Sequence, residues 1–233
     1  ASVAERWAAV QTRVAAACAA AGRDPAEVQV LGAVKAQPPA KVLEALAAGL
    51  NVLGHNRVQE AAATLPEIRE AWDGPLEVHM IGTLQSNKVN AALRHVDCVQ
   101  SLDRLDLAQR LSRAAEQQER TLDVFVQVNS SGEETKGGVD VMEAIPFAAQ
   151  VAALPALRLR GLMTIGAHSP DPGIVRRSLA QMAQLSEALV ASRAPGTTEA
   201  RELSMGMSGD LEEAIAAGAT MVRIGTAIFG ERP

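Results

Sequence analysis

The chain contains 233 residues, 48% of them hydrophobic, and its 27 acidic residues exceed its 22 basic ones to give a net charge of −5. This balance, without any basic block, argues against a nucleic-acid-binding surface, and the apolar stretches are too short to cross a bilayer. No signal peptide is visible, so we expect a cytoplasmic protein. Cys18 and Cys98 lack the spacing of a metal site, and we predict that both are buried and reduced.

Periodicity divides the chain into alternating elements. Residues 2–21 are Ala-rich with one apolar stripe, which predicts an N-terminal helix that ends at Gly22. After it, short apolar runs typical of buried strands alternate with helical periodicity. The predicted strands are 28–34, 51–54, 78–82, 98–102, 122–129, 157–165, 202–206 and 221–225. Helices are predicted at 39–48, 57–72, 87–93, 141–154 and 210–217, and around Leu105 and Met182.

The number of repeated units indicates the architecture. Strands that alternate with helices pair in parallel, and eight such units in about 200–250 residues are typical of an α/β fold of the (β/α)8 TIM-barrel type. We therefore predict one domain over residues 1–233, with the N-terminal helix as an extra element. A doubly wound open sheet is the alternative, but its usual Gly-rich turn after the first strand is replaced here by KAQPP.

Lys35 is the first candidate site residue, because it follows a buried strand directly. In this barrel the active site lies at the C-terminal ends of the strands. The other three lysines, Lys41, Lys88 and Lys136, fall in a predicted helix, near a helix start and in a polar loop. A neutral amine can form an imine with a carbonyl group. The residues alone leave two interpretations open, a Schiff-base lysine or a lysine that lines the rim.

The loops after the last two predicted strands are rich in hydrogen-bond donors. SMGMSGDLEEA places Ser208 at a predicted helix N-cap, and RIGTAIFG adds Gly225 and Thr226. Barrels commonly hold phosphate in these two loops, so we predict a phosphate site there, with capping alone as the alternative for Ser208. Arg223 points to the same face as Gly225, and contacts either a ligand or an internal partner such as Glu202.

Three further residues lie near predicted strand ends. Asn56 follows the second strand, and Met163 is near the end of the sixth. His79, within the third strand, could contact a ligand or make a hydrogen bond inside the barrel. The remaining histidines show no metal spacing, and no Ser-His-Asp order or carboxylate pair stands out. We therefore predict no metal site and no hydrolase site.

Six stretches together resemble the pyridoxal phosphate homeostasis protein family, the single-domain relatives of the alanine racemase N-terminal barrel. They cover nearly the whole chain: AVKAQP, GHNRVQEA, HMIGTLQSNK, VQVNSSGEETKGG, RGLMTIGA and LSMGMSGDLEEAIAAGATMVRIGTAIFG. The resemblance implies a fold-type III barrel that binds pyridoxal 5′-phosphate (PLP). It implies an internal aldimine at Lys35 and Arg223 opposite the pyridine nitrogen. The implied cofactor contacts are completed by Asn56, His79, Met163, Ser208, Gly225 and Thr226.

The sequence also departs from the family pattern. Val34 and Ala36 replace hydroxyl residues that usually flank the lysine, and His55-Asn56-Arg57 replaces Glu-Asn-Tyr. The hydrogen bonds that those side chains make in the family are therefore missing here. We expect their loss to change the affinity for the cofactor but not the identity of the lysine that binds it.

The family implies storage and delivery of PLP rather than catalysis. Related racemases use a tyrosine from a second domain as the opposing base, and this chain contains no tyrosine. Arginine also cannot accept a proton from the pyridine nitrogen. A PLP-dependent racemase remains the alternative, and a barrel aldolase that uses Lys35 on a sugar phosphate is a third reading. Expected partners are PLP and apo PLP-dependent enzymes, without nucleic acid or membrane, and a monomer is favoured over a dimer.

Overall fold

A computed structural model describes residues 1–134 and 136–231; Thr135 and residues 232–233 of the predicted domain lie outside them. Eight parallel strands form a closed barrel in the order β1-β2-β3-β4-β5-β7-β8-β9, and β9 pairs again with β1. The barrel strands are β1 Gln29–Ala33, β2 Val52–His55, β3 Glu77–Met80, β4 Cys98–Leu102, β5 Leu122–Asn129, β7 Leu157–Met163, β8 Glu202–Ser204 and β9 Met221–Ile224. The short strand β6, Val139–Asp140, pairs only with the end of β5. The predicted TIM barrel is confirmed.

Helices surround the barrel, and one of them precedes it. The helices are α1 Val3–Ala20, α2 Pro39–Ala48, α3 Val58–Ala71, α4 Val89–Leu93, α5 Leu105–Gln117, α6 Ala144–Ala152, α7 Pro172–Ala191, α8 Leu211–Ala217 and α9 Thr226–Phe229. Short 3-10 turns occupy Pro25–Glu27 and Ser86–Lys88. The extra helix α1 starts with a capping box between Ser2 and Glu5 and packs against α2, α8 and α9. None of the described helices combines the length and apolar character needed to span a membrane.

The prediction that Ser208 caps a helix is wrong. Helix α8 begins at Leu211, and the cap position belongs to Asp210. The Asp210 carboxylate reaches back and accepts a hydrogen bond of 2.7 Å from the backbone N–H of Met207. This bond closes a turn over Ser208 and Gly209, so Ser208 lies in the loop before the helix.

Two layers of side chains form the core. The outer layer, between strands and helices, is almost entirely aliphatic. The barrel interior mixes two small apolar clusters, Leu31–Val52–Met221 and Cys98–Phe125–Met163, with buried polar side chains. Both cysteines are free thiols and buried, as predicted. No group of residues suited to a metal ion occurs in the described part of the chain.

Candidate cofactor site

Strand pairing brings four of the predicted residues to one part of the C-terminal rim. Strand β1 pairs with both β2 and β9, so residues that follow these three strands are neighbours. Lys35 follows β1, Asn56 follows β2, and Gly225 and Thr226 follow β9. The approach of β9 to β1 is close, since a Cβ atom at Gly225 would lie 3.4 Å from the carbonyl oxygen of Ala33. The Lys35 side chain is exposed, so its amine is accessible from solvent.

The Lys35 turn is held by residues on both sides. The backbone N–H of Gln37 donates to the carbonyl of Val34 at 3.0 Å, which closes a turn around Lys35. Ala36 has a φ of 57°, a conformation that costs an L-residue about 1 kcal/mol. Its N–H donates to the Glu60 carboxylate at 2.8 Å. Sequence reasoning missed Glu60, although its position in the first turn of α3, four residues after Asn56, was an available signal.

Arg223 lies inside the barrel mouth and is buried. Its Nη1 donates to Ser204 Oγ at 2.8 Å and its Nη2 to the carbonyl of Thr164 at 2.7 Å. Burial lowers the pKa of Arg223 to about 10, against a small opposing effect of the Asp210 charge. The guanidinium therefore remains cationic at neutral pH.

The predicted alternative of an ion pair between Arg223 and Glu202 is wrong. Glu202 instead accepts two hydrogen bonds from Arg160, at 2.6 and 3.0 Å. The pairing follows from position along the strand, since Glu202 begins β8 whereas Arg223 lies near the end of β9. Arg223 has no carboxylate partner among the described residues.

His79 and Met163 are fully buried in the barrel interior. Both ring nitrogens of His79 have partners, Nε2 with Glu77 Oε1 and Nδ1 with Gln100 Nε2, each at 2.7 Å. Met163 packs in the interior cluster rather than at the rim. Both side chains lie below the site, and the bonds of His79 favour the hydrogen-bonded interior role over direct ligand contact.

The loop after β8 is clamped from outside the barrel. The Ser208 carbonyl accepts a 2.6 Å hydrogen bond from Arg13 Nη2 of α1, and the same guanidinium bonds both Glu212 oxygens at 2.5 and 2.7 Å. Gly206, with φ of 101°, allows the loop to turn, since a Cβ there would lie 2.5 Å from the Ala214 Cβ. Arg13 was not predicted, and no local signal could have shown it because 195 residues separate it from Ser208.

A cavity of about 380 Å³ opens beside this rim, between the ends of β2 and β3. Asn56 lines it together with Thr83, Gln85 and Lys88. Of the predicted site residues only Asn56 lines this cavity, so it lies beside the Lys35 turn rather than between Lys35 and Arg223. The structure therefore places an exposed amine, a buried guanidinium and two donor-bearing loops around one barrel mouth.

Comparison with known proteins assigns the family. The profile of the alanine racemase N-terminal domain matches residues 7–233. The pyridoxal phosphate homeostasis protein of Pseudomonas aeruginosa is 46% identical over 232 residues, 99% of this chain and 96% of the relative. The structure of PipY from Synechococcus elongatus with PLP bound is 33% identical with a TM-score of 0.83, covering 98% of this chain and all of PipY.

A more distant similarity supports the fold alone. Alanine racemase from Clostridium difficile is 17% identical with a TM-score of 0.73, and the match covers 89% of this chain and 53% of the racemase. The identity to the homeostasis proteins is much higher and spans nearly both full lengths. The chain therefore belongs to the pyridoxal phosphate homeostasis proteins of the alanine racemase N-terminal domain family.

Proposed function

We propose that this chain binds PLP covalently through Lys35 and acts in the storage and delivery of PLP within the cell, without strong catalytic turnover. The observation that carries the proposal is the meeting of Lys35, Arg223 and the Gly225–Thr226 loop at one barrel mouth. The β1–β9 pairing makes these groups neighbours although they are far apart in the sequence.

The chemistry of these groups fits PLP. A lysine amine condenses with the aldehyde of the cofactor, and the bound ring supplies an electron-withdrawing group. Arg223 offers only donors, so it suits an unprotonated pyridine nitrogen. The hydroxyls of Ser208 and Thr226 and the backbone around Gly225 are suited to phosphate oxygens. Asn56 lies on the opposite side of Lys35 from these phosphate donors.

Three observations support a carrier over an enzyme. The chain has no tyrosine to act as the opposing base of a racemase. Arg223, the residue assigned to the ring nitrogen, has only donors and a guanidinium that stays protonated, so the bound ring would be a weaker electron sink. PipY of Synechococcus elongatus has structures both with and without PLP, and the exchange proposed here requires a folded form without the cofactor.

Loss of the Lys35 amine tests the proposal. After incubation with PLP and borohydride, wild-type protein should carry one stable adduct that peptide mapping places on Lys35. Lys35→Ala should lose that adduct and bind PLP at least tenfold more weakly, because only noncovalent contacts remain. Lys41→Ala, six residues away on α2, is the matched control and should behave as wild type. An unchanged adduct in Lys35→Ala would contradict the lysine assignment, and no PLP uptake by wild type would contradict the function.

The phosphate loop gives a second prediction. Ser208→Ala should weaken the binding of PLP more than the binding of pyridoxal, because only PLP carries the phosphate. Arg13→Ala should have the same effect, because it frees the Ser208 loop. We expect the dissociation constant for pyridoxal divided by that for PLP to fall about 3- to 10-fold, as for the loss of one charge-assisted hydrogen bond. Isothermal titration with both ligands measures this ratio.

Arg23→Ala is the control for the clamp. Arg23 anchors the far end of α1 to the carbonyls of Ile215 and Ala219, each at 2.8 Å, away from Ser208. It should lower stability as Arg13→Ala does and leave the ratio unchanged. An equal change of ratio in both variants would show that α1 acts through global stability.

Carrier and enzyme are separated by two assays on one preparation. PLP transfer to a purified apo PLP-dependent enzyme should proceed faster than spontaneous release into buffer. Racemisation of amino acids should stay near the rate of free PLP. Brisk racemisation would overturn the proposed role.

The proposed monomer is tested on the same sample by analytical ultracentrifugation.

A further inference from the structure

A line of hydrogen bonds crosses the barrel from the cofactor rim to the opposite face. Arg223 Nη1 donates to Ser204 Oγ at 2.8 Å, and Ser204 Oγ bonds Gln100 Oε1 at 2.7 Å. Gln100 Nε2 bonds His79 Nδ1 at 2.7 Å, and His79 Nε2 bonds Glu77 Oε1 at 2.7 Å. Four strands, β3, β4, β8 and β9, contribute these side chains.

The two ends of this line determine its direction. A guanidinium can only donate, so Ser204 accepts from Arg223 and must turn its own proton toward Gln100. The Gln100 amide then donates to His79 Nδ1, and the proton of a neutral imidazole is left on Nε2. A carboxylate can only accept, so Glu77 accepts the hydrogen bond from this Nε2–H. With a neutral ring, every bond is satisfied in this one direction.

The orientation of the Gln100 amide is fixed by a second contact. Its Nε2 lies 3.2 Å from the sulfur of Met221 as well as 2.7 Å from His79 Nδ1. Both neighbours accept hydrogen bonds, so a reversed amide would place its oxygen against two acceptors. Gln100, His79 and Ser204 are completely buried, and a lost partner cannot be replaced by bulk water.

Arg223 depends on this line for one of its two named contacts. The other is the carbonyl of Thr164 at 2.7 Å, from the segment that follows β7. With both contacts present the guanidinium plane is fixed at two nitrogens. With Thr164 alone it can rotate about that single bond. The Ser204–Gln100 pair therefore decides how Arg223 presents its remaining N–H groups.

We propose that Gln100 and Ser204 are positioning residues, which hold Arg223 in the orientation that donates to the cofactor's ring nitrogen, and that Glu77 sets the direction of the line through His79. The proposal rests on the proposed function and adds to it. It predicts that side chains inside the barrel and on its opposite face control cofactor binding without touching the cofactor.

Epistasis with Arg223 is the first test. Gln100→Met keeps the volume and removes the hydrogen bonds, and we expect at least a tenfold rise in the PLP dissociation constant. In an Arg223→Ala background the same substitution should change it less than twofold, because nothing is left to position. Val99→Ala, next to Gln100 but on the outward face, controls for lost stability and should leave PLP affinity unchanged. Equal effects of Gln100→Met in both backgrounds would overturn the proposal.

Nuclear magnetic resonance of cofactor-free protein tests the direction independently. The ¹⁵N shifts of His79 should show a neutral ring protonated at Nε2. Glu77→Gln replaces the acceptor-only end with a group that also donates, so both tautomers should then be populated. A ring protonated at Nδ1 in wild type would overturn the direction. If wild type took up no PLP, the proposed function would fail, while this measurement would still decide the order of the bonds.

Discussion

Replacement of Arg160 by methionine is expected to lower the free energy of unfolding by about 3 kcal/mol at pH 7. The Arg160 side chain is only 10% exposed and lies among three carboxylates on the face opposite the cofactor rim. It contacts Glu77, bonds Glu202 at 2.6 Å and approaches Asp123 at 3.5 Å. Methionine keeps most of the packing volume but leaves Glu202 without its partner and removes the cation shared by Glu77 and Asp123. Chemical denaturation measures the loss of stability.

Arg158→Met is the matched control on the same strand. Arg158 also bonds Asp123, at 2.7 and 2.8 Å, but its side chain is 66% exposed, so its loss should cost less than about 1 kcal/mol. Equal losses from the two substitutions would contradict the structural role assigned to Arg160.

Acid should narrow the difference between wild type and Arg160→Met. The hydrogen bond from His79, together with Arg160, lowers the pKa of Glu77 to about 2 from an ordinary value of 4.5. A lowered folded-state pKa contributes stability above pH 4.5, and that contribution disappears as the pH falls toward 2. Without Arg160 the pKa of Glu77 rises and this contribution shrinks. The variant should therefore lose less stability than wild type between pH 4.5 and the acid limit of the measurement.

The stability of the protein should also depend on pH through His55, which stands where the resemblance implies a glutamate. His55 is 3% exposed, and its Nε2 has no hydrogen-bond partner in the described structure. Burial lowers its pKa from 6.5 to about 4, with the Glu60 charge opposing and the His95 charge adding to the effect. The unfolded chain therefore takes up a proton before the folded one, and stability falls as pH decreases from 6.5 to 4. The full contribution is about 3 kcal/mol.

Substitution of His55 by leucine should remove this slope. Urea denaturation at several values between pH 7 and pH 4 should show wild type losing about 3 kcal/mol more than the variant. At pH 7 the two should be nearly equal, because the leucine loses no satisfied hydrogen bond. His168→Gln, at an exposed histidine, should retain the wild-type slope. Parallel curves for wild type and His55→Leu would show that folding leaves the pKa of His55 unchanged.

Local pattern was sufficient for the barrel but not for its contacts. All eight barrel strands were predicted within three residues of their observed ends, because apolar runs between helical segments carry that information. The short β6 and the four-residue α9 were missed, since elements of two to four residues have no measurable periodicity. The N-cap was misplaced because Ser208 and Asp210 are both residue types that favour the cap position, and the Met207–Asp210 turn puts Ser208 before the helix.

The site could be predicted only where residues follow strands directly. Lys35, Asn56, Gly225 and Thr226 were placed on the rim by strand order, which the sequence carries. The partners of Arg223 were not predictable, because Ser204 and the Thr164 carbonyl reach it through barrel closure. On charge alone Glu202 is an equally good partner for Arg223. Only its position at the start of β8, far from the end of β9, excludes it. Contacts across the barrel cannot be predicted from the sequence, because they depend on how the strands close into the barrel.

The turn at Ala36, which has a left-handed backbone, fixes the backbone of Lys35 but leaves its side chain free. The peptide after Lys35 cannot drift, because Glu60 holds the N–H of Ala36 and the turn closes between Val34 and Gln37. The side chain beyond that fixed point retains four rotatable bonds and is exposed. Because the backbone is already fixed, a change of rotamer at Lys35 costs no further backbone entropy. Such a hinge suits the exchange of cofactor that we propose for Lys35.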